Sequence, residues 1–363
     1  MSKQLDIMYE GAFCYPIHLE QSFDRFIEHY RSLEGANHKK VCIVTDSDVA
    51  NLYLNEMIKI CKNQFFDVIS FIFPSGEASK NLDTVEKLYL QLINNRFDRK
   101  DLLIALGGGV VGDLTGFAAA TFLRGIDFIQ VPTTLLSQVD SSIGGKTGVD
   151  FSRFKNMVGA FYMPKMVYIN TSVLHSLPEV QFQSGMGEVI KHGLIKNSAY
   201  YQWLKDHKES ILALDDATLE EMIYVSCKTK KAVVEEDPKE HGIRAHLNFG
   251  HTIGHAVEKL SDFSLYHGQC VAIGMGAAAY LSSVNHGMVS AVYEDILRTI
   301  ESFGLPTKVA GYDAKAILEA TKSDKKMDGG QINFVVLDSV GEAVIDKSYN
   351  DEMLLDAIGT ILE

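Results

Sequence analysis

Four histidines, an arginine and an asparagine fall within residues 244–268, RAHLNFGHTIGHAVEKLSDFSLYHG. The middle of this stretch has the spacing of a helix. At about 100° per residue from His251, His255 lies near 40°, whereas Ile253, Ala256, Val257 and Leu260 gather at roughly 140–240°. The two imidazoles therefore share one face, opposite the apolar stripe that buries the helix. Imidazoles at i, i+4 can turn their nitrogens to one metal ion or one substrate. His267 precedes the next apolar helix, where a loop can return it to the same cleft. His246 lies before the helix and is assigned no role. A histidine pair alone is often only a solvated surface feature. Here Gly250 and Gly254 flank the pair and permit close approach, and the Lys/Glu pairs of an ordinary wet face are few. A carboxylate also exists upstream, Glu188 in GMGEVIKHG. Together with two of the histidines it would make three protein ligands and leave one position open, as a catalytic zinc requires.

A second chemical feature is LLIALGGGVVGDLTGFAAATF, a strand, a glycine turn and a helix. Gly107-x-Gly109-x-x-Gly112 matches the dinucleotide fingerprint, and a helix N-terminus just beyond it offers free N–H groups to a pyrophosphate. The competing reading is a tight βα turn that uses glycine for packing. The acidic residue usual about 20 positions later is missing, and Asp127 is a poor substitute. Asp46, at the end of an earlier strand, is the better candidate for a ribose. The absence of GK[ST] at the end of this turn excludes a P-loop. Beyond the turn, Thr133 and Thr134 follow Pro132 and suit a helix cap or a cofactor contact. Asp140, Lys146, Lys155 and Asn156 then stand among glycines and small residues with neither helical nor strand period, which suggests a binding loop.

These groups need a scaffold. Apolar runs at 41–45, 68–73, 102–106, 128–131 and 167–170 alternate with helical patterns at 48–61, 81–96 and 113–122. Such alternation predicts an α/β fold with a parallel sheet covered on both faces, whose ligands bind beyond the carboxyl ends of the strands. After Pro178 the pattern turns helical to about residue 320. The boundary is expected there, giving an α/β domain over 1–178 and a mainly α-helical domain over 179–363, with a cleft between them. A late hairpin is expected from 332–337 and 342–345.

The 363 residues allow two domains and a sizeable core, and 46% hydrophobic with 22% charged residues is an ordinary globular balance. A net charge of −13 argues against a general nucleic-acid or membrane surface. Five scattered cysteines without a CxxC fit reduced thiols in a cytoplasmic enzyme. MSKQLDIMYE shows no apolar signal core, and the apolar stretch near 270–281 is too short to span a bilayer.

The motifs GGGVVGDLTGFAAATFLRG, QVPTTLLSQVDSSIGGKTGVD, KNMVGAFY, GMGEVIKHG, LNFGHTIGHA and HGQCVAIGM closely resemble those of the 3-dehydroquinate synthase family, in its order and spacing, from about residue 41 to 326. The resemblance implies an N-terminal NAD-binding α/β domain and a C-terminal helical metal- and substrate-binding domain, in a homodimer. The implied substrate is a phosphorylated sugar acid, 3-deoxy-D-arabino-heptulosonate 7-phosphate, and the implied products are 3-dehydroquinate and phosphate. NAD would oxidise an alcohol, phosphate would be eliminated, the NADH formed would reduce the ketone back, and the ring would open and close by an intramolecular aldol step. NAD is then recycled.

Residue by residue, the resemblance gives Glu188, His251 and His267 as ligands of zinc (or cobalt), with His255 as a proton-transfer residue. It places Asp140, Lys146 and Asn156 in the site, the last two near the phosphate, and brings Arg124 to that phosphate from the partner subunit. Lys191, Lys230, Arg244 and Asn248 would hold the carboxylate and hydroxyls, and Lys325 or Lys326 would close on the phosphate. For NAD it indicates Asp46, Glu77, Lys80, Gly109, Val110, Val111, Gly112, Asp113, Thr133, Thr134, Lys146 and Lys155. One position departs: the family often has HGE where this chain has His267-Gly268-Gln269, and the loss of an acid beside the metal histidine is expected to weaken metal binding modestly. Another sugar-phosphate cyclase, or an NAD- and metal-dependent polyol dehydrogenase, are the alternatives. Arg244, Asn248 and His255 favour a substrate with a carboxylate, and a dehydrogenase would not need Lys146, Asn156 and a DKK segment.

Overall fold

The computed structural model describes residues 3–152, 154–240, 242–262, 264–325 and 333–363, with the side chains of 323–325 outside the description. Lys326 and the side chain of Lys325 therefore lie outside the described residues. The chain divides into two compact units, Met1–Leu177 and Pro178–Glu363.

The first unit is built on a seven-stranded sheet. Its strands are β1 (Lys3–Tyr9), β2 (Ala12–Glu20), β3 (Lys40–Asp46), β4 (Asp67–Phe73), β5 (Leu102–Gly107), β6 (Asp127–Pro132) and, after a separate ribbon of β7 (Lys146–Phe151) and β8 (Phe154–Phe161), β9 (Val167–Asn170). The order is β1-β2-β9-β6-β5-β3-β4, parallel throughout except for β1, which pairs antiparallel with β2. Cys42, Val44, Leu103 and Ala105 enter one core; Val41, Ile43, Leu102 and Ile104 enter the other. Successive side chains point to opposite faces, so a strand buried on both sides reads as an unbroken apolar run. Asp46, Gly107, Pro132 and Asn170 all end strands, at the carboxyl edge of the sheet. Asp127 begins β6 at the other edge, where it meets His38 at 3.1 Å and Lys165 at 3.5 Å, away from the glycine turn.

Two features depart from the expectations. The first two strands are additional; Glu10 and Gly11, both with positive φ, turn the hairpin between them. The polar stretch expected as an open loop is ordered: a helical turn covers Ser137–Ser141, and β7 and β8 pair as an antiparallel ribbon lying on helix Gly109–Thr121. Its small residues have no period because the ribbon is fitted to that helix: a Cβ on Gly116 would come within 2.4 Å of Thr147 Cγ2.

In the second unit, helix His267–Asn285 is packed by helices Glu179–Lys196, His251–Leu260, Ser290–Ser302 and Asp351–Thr360, and by the hairpin β10 (Phe334–Ser339) with β11 (Glu342–Asp346). Among the described residues no helix is long and apolar enough to cross a membrane. All five cysteines are free thiols.

Candidate active site

The histidine face is assembled by close helix contacts in the second unit. Gly250, with φ of +81°, turns the chain into helix His251–Leu260, and a Cβ there would lie 2.6 Å from Met275 Cγ and 2.7 Å from the Val271 carbonyl oxygen. A Cβ on Gly268 would fall 1.8 Å from the Ser184 carbonyl oxygen. Glycine at both places lets the backbones approach until His251, His267 and Glu188, each from a different helix, face one another.

Glu188 is fully buried on helix Glu179–Lys196. Its Oε1 lies 3.5 Å from His251 Nε2 and 3.3 Å from His267 Nε2, and Oε2 meets the Lys191 ammonium. Donor atoms of the three residues all lie within 4.8 Å of one another. Ligands of a tetrahedral zinc with bonds of 2.0–2.1 Å stand about 3.3–3.4 Å apart, so the separations at Glu188 are those of ligands around one small ion. His251 Nδ1 faces the Phe249 carbonyl oxygen at 3.2 Å, which aims Nε2 at Glu188. His255 completes the cluster, its ring centroid 5.1 Å from that of His251 and 6.0 Å from that of His267.

The electrostatics suit a cation. Burial alone would raise the Glu188 carboxyl, but Lys191 and the two imidazoles hold it well below the ordinary range. Burial, with Lys191 beside it, holds His251 well below the usual imidazole value, so its ring is neutral, the form that ligates. Burial also opposes charge on His267, yet Glu188 and Glu258 outweigh it and push this group up to about 9. A metal held at Nε2 would take the place of the proton there. The donor set, a carboxylate and two imidazoles, fits zinc or cobalt.

Elsewhere in the same unit, Lys230 and Arg244 are buried, Arg244 donating from Nη1 to the Pro238 carbonyl oxygen at 2.5 Å. Asn248 Nδ2 lies 3.4 Å from Glu240 Oε1 at the end of the turn Ile243–Asn248. Gln269 is used locally: its Oε1 accepts from the Tyr266 backbone N–H at 3.0 Å and closes the first turn of helix His267–Asn285. Glu258 is missing from the sequence reading although it lies about 340° from His251 on the helix and so shares the histidine face.

In the first unit, β5 ends at Gly107 and helix Gly109–Thr121 begins at once, capped by Gly108. Packing demands part of this turn: a Cβ on Gly107 would lie 2.4 Å from Val111 Cγ2, and one on Gly112 would lie 2.6 Å from Gln130 Oε1. Val111 is fully buried, so beyond packing it offers a ligand only its backbone, as do Gly109 and Gly112; Val110 is partly exposed. The backbone N–H of Thr133 donates to the Gly107 carbonyl at 3.0 Å, and the buried Thr133 hydroxyl has no partner among the described residues. Thr134 is spent on capping, its Oγ1 accepting from the Ser137 N–H at 3.1 Å. An unsatisfied hydroxyl beside a glycine turn and an open helix N-terminus fits a bound dinucleotide.

A lysine-centred cluster lies next to this turn. Lys80, buried, reaches Glu77 at 2.7 Å, Asn156 Oδ1 at 2.9 Å, and Asp113 and Asp150 at 3.7 Å each. Burial pushes Asp113 up to about 7, with Lys80 pulling down and Glu77 and Asp140 pushing up. Lys155 lies 3.9 Å from Glu77. Asp46 Oδ1 accepts from the N–H groups of Asp48 and Val49 at 3.0 and 2.9 Å, which leaves Oδ2 for another donor. Asp140 sits in the helical turn, and Lys146 is exposed at the start of β7. Arg124 is exposed on a strained turn in which Leu123 and Arg124 both have positive φ. Asp150 is the member of the cluster that sequence reasoning missed, although GKTGVD contains it.

Profiles of the N-terminal and C-terminal domains of 3-dehydroquinate synthase match residues 70–184 and 185–327. The chain belongs to the 3-dehydroquinate synthase family. It is 43% identical over 349 residues to the 3-dehydroquinate synthase of Acetivibrio thermocellus, covering 95% of each chain. With that of Desulforamulus reducens it shares 45% over 348 residues, covering 95% of this chain and 96% of the other. A crystal structure of 2-deoxy-scyllo-inosose synthase complexed with carbaglucose-6-phosphate, NAD+ and Co2+ superposes with a TM-score of 0.85 at 25% identity, covering 99% of each chain.

Proposed function

We propose that this chain is a carbon–oxygen lyase of the shikimate pathway to chorismate and the aromatic amino acids. It converts 3-deoxy-D-arabino-heptulosonate 7-phosphate to 3-dehydroquinate and phosphate with recycled NAD and a divalent metal. The observation that carries this reading is the spacing of Glu188, His251 and His267, which fits one metal ion, in a chain whose halves match both domains of that synthase.

In this reading Glu188, His251 and His267 hold the metal, zinc or cobalt. When bound, the metal polarises the hydroxyl to be oxidised, and NAD accepts and returns its hydride. His255 moves protons beside it. Lys191, Lys230, Arg244 and Asn248 bind the substrate carboxylate and hydroxyls. Lys146 and Asn156 bind the phosphate end, which Lys325 or Lys326 closes over, and Asp140 is a further residue of the site. Phosphate and carboxylate together bring about three negative charges, and the buried Lys191, Lys230 and Arg244 gather positive charge within an acidic protein. Asp46, Glu77, Lys80, Gly109, Val110, Val111, Gly112, Asp113, Thr133, Thr134, Lys146 and Lys155 bind NAD, the unpartnered Thr133 hydroxyl supporting that placement. The active form is a homodimer in which Arg124 of one copy serves the site of the other; its exposure supports this. Five cysteines outside any disulfide support a cytoplasmic setting.

The test is phosphate release from the heptulosonate phosphate by purified protein supplied with NAD. Chelator should stop the release and added zinc should restore it. Release that persists in metal-depleted protein would refute the assignment.

A further inference from the structure

Glu258 is buried on helix His251–Leu260 with its carboxylate turned toward the histidine cluster. A buried acid is costly unless something pairs with it. Oε2 lies 3.7 Å from Nδ1 of His267, while Nε2 of the same ring is 3.3 Å from Glu188. The imidazole thus stands between two carboxylates, one at the face where a metal would bind and one behind. Donor atoms of His255, Glu258 and His267 also lie within 4.8 Å of one another. The residue two positions after His267 cannot play the rear part as placed, since Gln269 Oε1 is engaged by the Tyr266 N–H.

We propose that Glu258 is the positioning residue of the metal site. With a metal at Nε2, its carboxylate would take the Nδ1–H of His267, which would fix the tautomer with the Nε2 lone pair turned to the metal and make that nitrogen a stronger donor. His251 is oriented differently, by the neutral carbonyl of Phe249. Oε2 stands 3.7 Å from Nδ1, within ion-pair range and beyond a hydrogen bond, and a metal-ligating imidazole almost always donates its other N–H to such an acceptor. The inference rests on the metal reading of Glu188, His251 and His267.

The experiment measures zinc affinity by chelator competition and the visible absorption of cobalt-loaded protein, for wild type, Glu258→Gln and Glu258→Asp. Thermal unfolding of the metal-free proteins and NAD binding serve as controls. Glu258→Gln should weaken zinc roughly 10–100-fold and shift the cobalt bands while NAD binding holds. In a His267→Gln background the same change should have little further effect on zinc, because Glu258 acts through that ring. Wild-type zinc affinity and an unaltered cobalt spectrum in Glu258→Gln would overturn the proposal. Should that variant not unfold cooperatively, Glu258→Asp, which keeps the charge but withdraws it from His267, decides by the same two readouts. A wild-type protein that binds no zinc would instead overturn the underlying metal reading.

Discussion

Nε2 of His267 stands 3.3 Å from Oε1 of Glu188, the two residues coming from different helices. That is the separation of two ligands on one tetrahedral ion. Replacing His251 or Glu188 by Ala should reduce bound zinc from about one per chain to near none at micromolar free zinc, while the chain still folds. Metal analysis after dialysis against buffered zinc checks it. Stoichiometric zinc in both variants would contradict the ligand assignment.

This part of the site was legible because helical periodicity places His251 and His255 on one face without any tertiary information. Glu258 obeys the same periodicity, but an acid on a helix reads as solvated until its burial is known. Other elements were hidden for different reasons. Pro16 and the short turn at Glu10 and Gly11 disguise the β1–β2 hairpin, since proline argues against a strand, and Tyr15, Ile17 and Leu19 are buried in the folded unit, where β2 also pairs with β9 from Ile17 onward. The β7–β8 ribbon has its glycines where Thr147 and Val158 approach the backbone, a demand set by tertiary packing. The strands β3, β5 and β6 and the glycine turn were read from local sequence because a strand buried on both faces shows as an unbroken apolar run and the turn as closely spaced glycines.

Lys80 holds together Glu77, Asp113 and Asp150 from three separate segments. Lys80→Met keeps the length of the side chain and removes the charge, leaving three carboxylates to repel. Unfolding free energy should fall by roughly 2–4 kcal/mol, and NAD should bind more weakly. Urea midpoints and NAD titration measure the two effects. A variant as stable as wild type would show that the cluster is already neutralised by other means.

Acid should loosen the first unit through His18. This ring is buried, neither nitrogen has a partner among the described residues, and it stacks on His29 at 3.9 Å between centroids. Burial, then the neighbouring His29, lowers it from 6.5 to about 4. Because its folded value is depressed, the unfolded chain binds more protons between those values. The stabilisation is present above pH 6.5 and is lost as pH falls toward 4, a drop of roughly 2–4 kcal/mol. His18→Phe should flatten that part of a denaturation series from pH 7 to 4. An unchanged slope would point to other groups.

Arg124 is exposed, on a turn of two consecutive positive-φ residues. If it serves the other copy's phosphate site, Arg124→Ala and Lys146→Ala should each be inactive alone. Mixed and allowed to exchange, they should recover about a quarter of wild-type activity, because half the dimers then contain one intact site. No recovery, with exchange verified by mass, would place Arg124 outside the site.

The most direct measurement follows phosphate release and NADH absorbance together, with the heptulosonate phosphate, zinc and NAD below the enzyme's substrate by a large factor. Many phosphates released for each NAD, with no NADH accumulating, is the predicted result, because the hydride removed in the first step is returned in a later one. NADH that builds up without phosphate would contradict the account and make the chain a polyol dehydrogenase.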